Sequence, residues 1–173
     1  MSTKFNDDFC YRTKHLAIRF YKNSDFLAWQ KLFSVMQHKQ NQWDWEAETI
    51  EQLSHERFEN KLKKHKQERK EGKIYYFCVE FNHELIGIAL LNNIDYEKSG
   101  AEIGFQINNN YWKSGLGTEL LSGLVDVTQN RLGINKIHAL VNPKNQTSIK
   151  LLKNAGFIIS EGNKGNQLRL VRE

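Results

Sequence analysis

The chain has 173 residues, of which 39% are hydrophobic and one is proline, and it contains no low-complexity tract. This length and composition predict a single globular domain over residues 1–173 with a sizeable core. The first ten residues carry no apolar segment and no run of 18 apolar residues occurs, so neither secretion nor membrane insertion is indicated and we expect a cytoplasmic protein.

Charge and cysteine content narrow the range of partners and ligands. The net charge of +5 permits an acidic partner but does not require one, because much of the basic excess lies in residues 63–73. Cys10 and Cys78 lack the spacing of zinc ligands or of a disulfide framework, and Cys78 lies in an apolar run typical of a buried strand. We therefore expect no metal site.

The predicted elements start with a short strand at residues 16–21, where β-branched and aromatic residues mix with polar ones. A helix follows from candidate caps at residues 23–25 to about residue 36, with its apolar residues at helical spacing. Residues 37–48 show no clear period and predict a connection, and a second helix covers about residues 49–71. Its basic end is typical of an exposed helix; a surface for phosphates or an acidic partner is the alternative.

The pattern changes to strands after Gly72. Two apolar runs flank Asn82 and His83, which predicts an antiparallel hairpin with a two-residue turn. Strand and helix patterns then alternate, and Gly156 is a predicted helix stop. The predicted strands are residues 74–81, 84–94, 101–107, 136–141, 157–160 and 166–173, with helices at about 117–131 and 145–155.

This order of elements predicts an α/β fold with a mixed sheet, in which an antiparallel meander is followed by β-α-β-α-β. The crossover from strand 101–107 through a helix to strand 136–141 should be right-handed, which makes these two strands parallel. In such an open sheet a ligand crevice lies at the carboxyl ends of the strands.

Two glycines, Gly115 and Gly117, precede a helix in YWKSGLGTELL. A Walker-type phosphate loop is excluded, because Thr118 and Glu119 stand where it needs lysine followed by serine or threonine; a dinucleotide fingerprint lacks its third glycine at Leu120. The remaining hypothesis is a short loop whose main-chain N–H groups, from about residue 113 to 118, wrap a diphosphate at the helix N-terminus. An ordinary turn is the alternative.

The turn after strand 136–141 contains a second group of polar residues. Pro143 predicts an interruption of strand pairing, so that neighbouring strands splay and leave main-chain groups for an extended ligand. Asn145 and Ser148 lie three apart, on one face of the first turn of the next helix, where helix capping is the alternative role.

In this order and spacing, the segments resemble the GNAT superfamily of N-acetyltransferases, particularly its RimJ/RimL-like branch. The resemblance spans nearly the whole chain through LAIRFY, WDWEAET, AEIGFQI, YWKSGLGTELL and VNPKNQTSIKLLKNAGF. It implies a GNAT-like fold with acetyl-coenzyme A (acetyl-CoA) as cosubstrate, its diphosphate in the glycine loop and its pantetheine arm along the end of strand 101–107. The implied cofactor-binding residues are Phe105, Gln106, Ile107, Trp112, Lys113, Ser114, Gly115, Leu116, Gly117, Thr118, Asn142 and Asn145.

Two positions differ from the most common superfamily pattern. Trp112 stands first in the loop pattern, where the superfamily has glutamine or arginine and the branch commonly has tryptophan. Leu152 stands where many members have a tyrosine that serves as the acid for the leaving thiol, so the resemblance supplies no tyrosine acid here.

The implied chemistry needs a base, because an alkylamine of pKa near 10.4 is protonated at pH 7. Glu102 is our candidate, since its segment resembles the strand with the catalytic glutamate of histone-acetylating members; a salt-bridged strand glutamate is the alternative. The branch suggests Ser148 as a hydrogen-bond donor to the leaving sulfur. A strand-end N–H near Gln106 or Ile107 would hold the thioester oxygen as an oxyanion donor.

The acceptor is expected to enter from the opposite side of the sheet, between residues 37–48 and the strand turn at residues 94–100. Trp43 and Trp45 are candidates for stacking against it, and Asp44 is a candidate for attracting its amine. Ordinary packing of the tryptophans is the alternative.

The predicted activity is transfer of an acetyl group from acetyl-CoA to a primary amine of a protein N-terminus, a polyamine, an aminoglycoside-like antibiotic or another small amine. The alternative is a module without turnover, either a coenzyme A sensor or a basic RNA-associated protein that uses residues 61–73, although no RNA-binding aromatic motif is present. A homodimer through the C-terminal strands is left open. Tyr111 and His138 are expected to be structural.

Overall fold

The computed structural model describes residues 5–37, 42–44, 46–160 and 166–173. Within them, eight strands form one mixed sheet and four α-helices pack on its faces. The strands are β1 (Cys10–Arg12), β2 (Leu16–Arg19), β3 (Tyr75–Phe81), β4 (Glu84–Asp95), β5 (Gly100–Ile107), β6 (Lys136–Val141), β7 (Ile158–Ile159) and β8 (Leu168–Arg172). The helices are α1 (Phe26–Ser34), α2 (His55–Lys70), α3 (Leu116–Asp126) and α4 (Gln146–Asn154).

The strands are arranged in the order β1-β2-β3-β4-β5-β6-β8-β7. Neighbouring strands are antiparallel except for β5 and β6, which are parallel. The predicted meander and the predicted parallel pair are therefore confirmed. The last strand lies between β6 and β7, so it also pairs back on the strand before it.

The hairpin of β3 and β4 has the predicted two-residue turn. Asn82 and His83 both have positive φ, 48° and 66°, as the central residues of a type I′ turn require. Asparagine and histidine adopt this left-handed backbone more readily than most residues other than glycine. The local sequence therefore selects the turn.

The parallel strands β5 and β6 stay together over a short stretch. Residues 100–102 pair with residues 136–138, and no further pairing between the two strands follows, although β5 continues to Ile107 and β6 to Val141. The predicted splayed pair is confirmed. Its expected cause is wrong, because Pro143 lies five residues beyond His138, the last paired residue of β6.

The two faces of β5 contact different parts of the molecule. Ile103 and Ile107 enter the main hydrophobic core, together with the apolar side of α3. Glu102 and Gln106 point to the opposite face, because successive strand residues alternate. That face carries α1, since Ile88, the β4 partner of Gln106, packs against the cluster to which α1 contributes.

Several predicted boundaries were wrong by a few residues. α2 begins at His55 instead of residue 49, because the Ser54 hydroxyl accepts the N–H of Arg57 at 3.2 Å and caps the helix there. α1 ends at Ser34 instead of residue 36, and β2 ends at Arg19 instead of residue 21. β1 was not predicted, since three residues carry too little alternation to indicate a strand.

The long helix predicted for residues 117–131 consists of α3 followed by a π-helical turn, Val127–Arg131. In this turn the N–H of Leu132 donates to the carbonyl of Val127 at 3.2 Å. The buried Thr128 hydroxyl donates to the Leu124 carbonyl at 2.7 Å and competes there with main-chain hydrogen bonding. A hydroxyl bond of this kind is consistent with the change of helix type.

Glu119 of α3 fastens the connection between β1 and β2. Its carboxylate accepts hydrogen bonds from the Thr13 hydroxyl and from the main-chain N–H of His15, and it contacts the His15 ring Nδ1 at 2.8 Å. Partial burial would raise the pKa of Glu119, but these hydrogen bonds outweigh burial and lower the pKa from 4.5 to about 2. A carboxyl group with a lowered pKa stabilises the fold above its ordinary pKa and loses that contribution as pH falls toward its folded value.

We expect Glu119→Gln to lower the free energy of unfolding by about 2 kcal/mol at pH 7, because charge-assisted hydrogen bonds are lost. The deficit should shrink as pH falls from 4.5 toward about 2, where the wild-type carboxylate also becomes protonated. Urea denaturation of both proteins across this range measures it. Glu97→Gln changes an exposed residue of the β4–β5 turn and serves as the control; a deficit independent of pH would contradict the assignment.

Candidate functional site

The main-chain groups of β5 alternate in direction. The N–H of Asn108 donates to the carbonyl of Ile86 at 2.7 Å, so in the same antiparallel register the N–H and C=O of Gln106 also point to β4. The corresponding groups of Phe105 and Ile107 therefore point toward β6. Because β6 has separated from β5 by this point, they face an open gap.

Trp112 occupies one of these main-chain groups and leaves the others to a ligand. Its indole N–H donates to the Ile107 carbonyl at 2.8 Å and ties the end of β5 to the loop before α3. The N–H groups of Phe105 and Ile107 are then the donors directed into the gap. Of the two oxyanion donors expected near Gln106 or Ile107, the Gln106 N–H points to β4 and the Ile107 N–H points into the gap.

The loop before α3 is left-handed at Lys113 and Gly115, with φ of 62° and 85°. The main-chain N–H groups of residues 113–117 have no main-chain acceptor in the part of the chain that the structure describes. The N–H of Thr118 differs, because it donates to the Gly115 carbonyl at 3.1 Å. The row of available donors therefore ends at Gly117, one residue before the predicted end, and such a row at a helix N-terminus favours an anion.

Packing within the described chain does not account for either loop glycine. A Cβ on Gly115 would meet no atom within 4 Å, and a Cβ on Gly117 would meet Leu151 Cδ2 at 3.8 Å. The positive φ of Gly115 favours glycine there, whereas Gly117 lies within α3. The space in front of the loop is open to a ligand, and the Ser114 hydroxyl bonds to the Tyr111 carbonyl.

The polar turn after β6 is held by its own hydrogen bonds. The side-chain oxygen of Asn145 accepts the N–H of Ser148 at 3.1 Å, and that of Asn142 accepts the N–H of Lys144 at 3.0 Å. Asn145 thus caps α4, the alternative role that its position allowed. The Ser148 hydroxyl makes no hydrogen bond to the described residues. Leu152, one turn further along, is 2% exposed and belongs to the core.

Glu102 lies on the last paired rung of β5 and β6, where the gap begins. Its Oε2 accepts a hydrogen bond from Asn93 Nδ2 at 2.8 Å and lies 3.4 Å from Nε2 of His138. The side chains of Glu102 and His138 are 16% and 17% exposed. Sequence reasoning missed His138 as a neighbour of Glu102, because only the register of the parallel strands places the two residues side by side.

The sheet face that carries Glu102 bears further partly buried side chains. Leu90, Asn92, Glu102 and Gln106 share this face and are all partly buried; we call this surface the acceptor groove. At one end Gln106 Nε2 lies 3.5 Å from the main-chain oxygen of Trp43. The groove therefore runs from Glu102 to the connection between α1 and α2.

The predicted acceptor residues differ in their surroundings. Asp44 is 6% exposed and accepts a 2.8 Å hydrogen bond from Asn109 Nδ2. We therefore correct its predicted role: it fastens the α1–α2 connection to the segment after β5 instead of facing an amine. Trp43 is partly buried beside the acceptor groove. Trp45 lies outside the described residues.

Comparison with known families identifies the fold and the class of chemistry. Residues 15–158 match the model of the acetyltransferase (GNAT) domain. The chain belongs to the GNAT family. Members of this family are acyltransferases that use acetyl-CoA.

Two relatives found by sequence similarity are named as N-acetyltransferases. The chain is 39% identical over 83 residues to the uncharacterized N-acetyltransferase p20 of Bacillus licheniformis, and 34% identical over 74 residues to the uncharacterized N-acetyltransferase YoaA of Bacillus subtilis. The matches cover 48% and 43% of this chain and 47% and 42% of the relatives. The chain thus spans about half the length of each relative in these matches.

Solved structures share the fold across nearly the whole chain. RimJ of Mycobacterium smegmatis in complex with CoA-disulfide has a TM-score of 0.77 at 16% identity, covering 99% of this chain and 88% of that chain. Spermidine N-acetyltransferase of Vibrio cholerae in complex with CoA and spermine has a TM-score of 0.67 at 21% identity, covering 92% and 94%. A RimL structure is similar as well, and at these identities the likeness shows that the fold is shared.

Three further observations concern predictions made from composition. No helix in the described ranges has the length and apolar content needed to span a bilayer. The same ranges contain no group of three or more His, Cys, Asp or Glu side chains placed to hold a metal ion. Cys10 is exposed, and the predicted burial of Cys78 is confirmed.

We expect Gly117→Val to weaken binding of coenzyme A by about tenfold or more, because a branched side chain would enter the open space before the loop. Its Cβ has room in the fold, with Leu151 Cδ2 at 3.8 Å, so the thermal midpoint should change little. Isothermal titration calorimetry measures the binding. Ser122→Val introduces the same side chain on an exposed part of α3; equal losses of affinity in both variants would contradict the placement.

Proposed function

We propose that the chain transfers the acetyl group of acetyl-CoA to a primary amine by direct attack on the thioester. The observation that carries this proposal is the opened pair of β5 and β6, with main-chain donors directed into the gap, unpaired loop amides near one end and Glu102 at the other. A cytoplasmic location and a single domain over residues 1–173 remain predictions of the sequence.

The cofactor would lie along the gap between the two strands. The N–H groups of residues 113–117 would bind the diphosphate, with the charge of Lys113 nearby. The pantetheine arm would pair with the main chain of Phe105 and Ile107, as an added strand does. Asn142 and Asn145 would line the opposite side of the gap. The N–H of Phe105 or Ile107 would stabilise the oxyanion, a contribution of about 2.7–4 kcal/mol for one donor in other acyl-transfer sites.

Glu102 would remove the proton of the amine, directly or through a water molecule. Its Oε2 is engaged by Asn93 and His138, while its Oε1 has no hydrogen bond to the described residues. Holding one oxygen leaves the other oriented toward the acceptor groove. The Ser148 hydroxyl would donate to the leaving sulfur, a smaller requirement because a thiolate of pKa about 8.5 leaves readily.

The acceptor groove favours a peptide N-terminus over a polyamine. A polyamine carries several positive charges, yet Asp44 is buried against Asn109 and Glu48 is paired with Arg57. Asn92 lies directly opposite Glu102 in the strand register, and its buried Oδ1 lacks a hydrogen-bond donor in the described ranges. A peptide N–H next to the reacting amine would supply one.

A panel of acceptors tests this proposal through release of free thiol from acetyl-CoA. We expect turnover with short peptides bearing a free N-terminus, and much less with spermidine or an aminoglycoside. Thermal stabilisation by acetyl-CoA without thiol release from any amine would instead indicate a silent coenzyme-binding module. Absence of stabilisation would leave the RNA-associated alternative and contradict the proposal, since a ligand at 100 times its Kd stabilises by about 2.7 kcal/mol.

We expect Glu102→Gln to lower kcat/KM by about 10²-fold or more near pH 7. The deficit should narrow as pH rises toward the pKa of the amine, because a growing fraction of the acceptor is already neutral. Steady-state rates between pH 6.5 and about 9.5 measure it. Glu56→Gln, an exposed residue of α2, is the matched control, and an unchanged pH–rate profile of Glu102→Gln would remove Glu102 from the mechanism.

A further inference from the structure

A polar cavity lies beside β3, away from the gap between β5 and β6. It has a volume of ≈ 220 Å³ and is lined by α2, by the segment after β2 and by Tyr76 of β3. β3 is separated from β5 by β4. The cavity therefore belongs neither to the cofactor gap nor to the acceptor groove, and no step of the proposed transfer uses it.

Cationic side chains dominate the lining of this cavity. Lys22, Lys66 and Arg69 line it, against a single acidic residue, Asp7. The basic segment of α2 thus has two sides: Lys66 and Arg69 face the cavity, whereas Lys63 is exposed and outside its lining. The three cations exceed the one carboxylate by two charges.

Two buried hydrogen-bonding groups of the lining are unsatisfied. The hydroxyl of Tyr21 and Nδ1 of His65 are buried and have no hydrogen-bond partner among the described residues. His65 is 8% exposed, and its ring stacks on Tyr76 with centroids 3.9 Å apart. Both atoms are closed off from solvent, so they lie behind the cavity wall and do not themselves contact its contents; the stacked His65 ring is a reporter of changes at that wall.

Positive charges surround His65 and favour an anion in its neighbourhood. Burial, followed by the positive charges of Lys61, Lys64 and Arg69, lowers the pKa of His65 to about 3. The ring is therefore neutral at physiological pH and offers one N–H. The same cations that disfavour a charged imidazole favour an anion nearby.

Asp7 already occupies part of the cation cluster. Its carboxylate lies 2.5 Å from the Arg69 guanidinium and 3.2 Å from Nζ of Lys66, and these contacts lower the pKa of Asp7. The Asp7 side chain is nevertheless 63% exposed. An oxyanion from solution could make the same contacts with Arg69 and Lys66 as Asp7 does, or it could displace the Asp7 carboxylate from them.

We propose that this cavity binds the phosphate group of a small phosphomonoester. A phosphomonoester carries a charge near −2 and three strong acceptor oxygens, which matches the two excess positive charges of the lining and the several N–H donors of Lys22, Lys66 and Arg69. A carboxylate supplies one charge and two oxygens and duplicates what Asp7 provides. A phosphodiester, as in a nucleic-acid backbone, carries one charge and fits less well.

The test is a titration of the full chain without coenzyme A. Glycerol phosphate and inorganic phosphate are added at constant ionic strength set by chloride, and the ring signals of His65 are followed by NMR. We expect a saturable shift of the His65 signals. Lys66→Gln should raise the Kd about tenfold, the effect of losing one charge-assisted contact, whereas Lys63→Gln should leave it unchanged. Asp7→Asn should lower the Kd, because it removes the competing carboxylate.

The variants discriminate between a site and general charge screening. Lys66 and Asp7 side chains are 54% and 63% exposed, so these substitutions should not prevent folding, and the thermal midpoint verifies this. Equal weakening by Lys66→Gln and Lys63→Gln, or a shift that does not saturate, would overturn the proposal. Equal or tighter binding of a dinucleotide without a terminal phosphate would overturn the phosphomonoester assignment. None of these outcomes depends on acetyl transfer.

Discussion

The separation of β5 from β6 beyond Glu102 and His138 is the constraint on which the rest of the site depends. A buried strand carries N–H and C=O groups that need partners, and in most of this sheet a neighbouring strand supplies them. At Phe105 and Ile107 the neighbouring strand has moved away. The edge that results lies between two strands of one sheet, and α3 and α4 begin after the carboxyl ends of those strands, so it suits an extended ligand better than another strand.

Strand β5 presents groups to three different parts of the molecule. Ile103 and Ile107 face the core beneath α3, Glu102 and Gln106 face the acceptor groove, and the main chain of Phe105 and Ile107 faces the gap. Strand geometry keeps these directions distinct, because side chains alternate above and below the sheet while hydrogen-bonding groups lie in its plane. Donor and acceptor substrates would therefore approach the reacting atoms from separate sides.

The loop before α3 and the cavity beside α2 both favour an anion, but they supply positive charge in different ways. The loop before α3 relies on main-chain N–H groups, and the acidic residue of the first helical turn, Glu119, is held by Thr13 and His15 instead of facing the loop. That arrangement keeps a carboxylate from competing for the same donors. The cavity beside α2 relies on full side-chain charges, and there Asp7 does compete. The net charge of the chain does not reveal this difference between main-chain donors and charged side chains.

The sequence by itself determined the features that depend on neighbouring residues. The turn at Asn82 and His83, the glycines before α3 and the order of strands and helices all follow from local backbone preference and periodicity, and the resemblance of five sequence segments indicated the family. Tertiary structure decided the rest: that His138 lies beside Glu102, that the Gln106 N–H points to β4, and that Asp44 is buried against Asn109. These facts depend on strand register and on packing between segments distant in the chain, which no local pattern encodes.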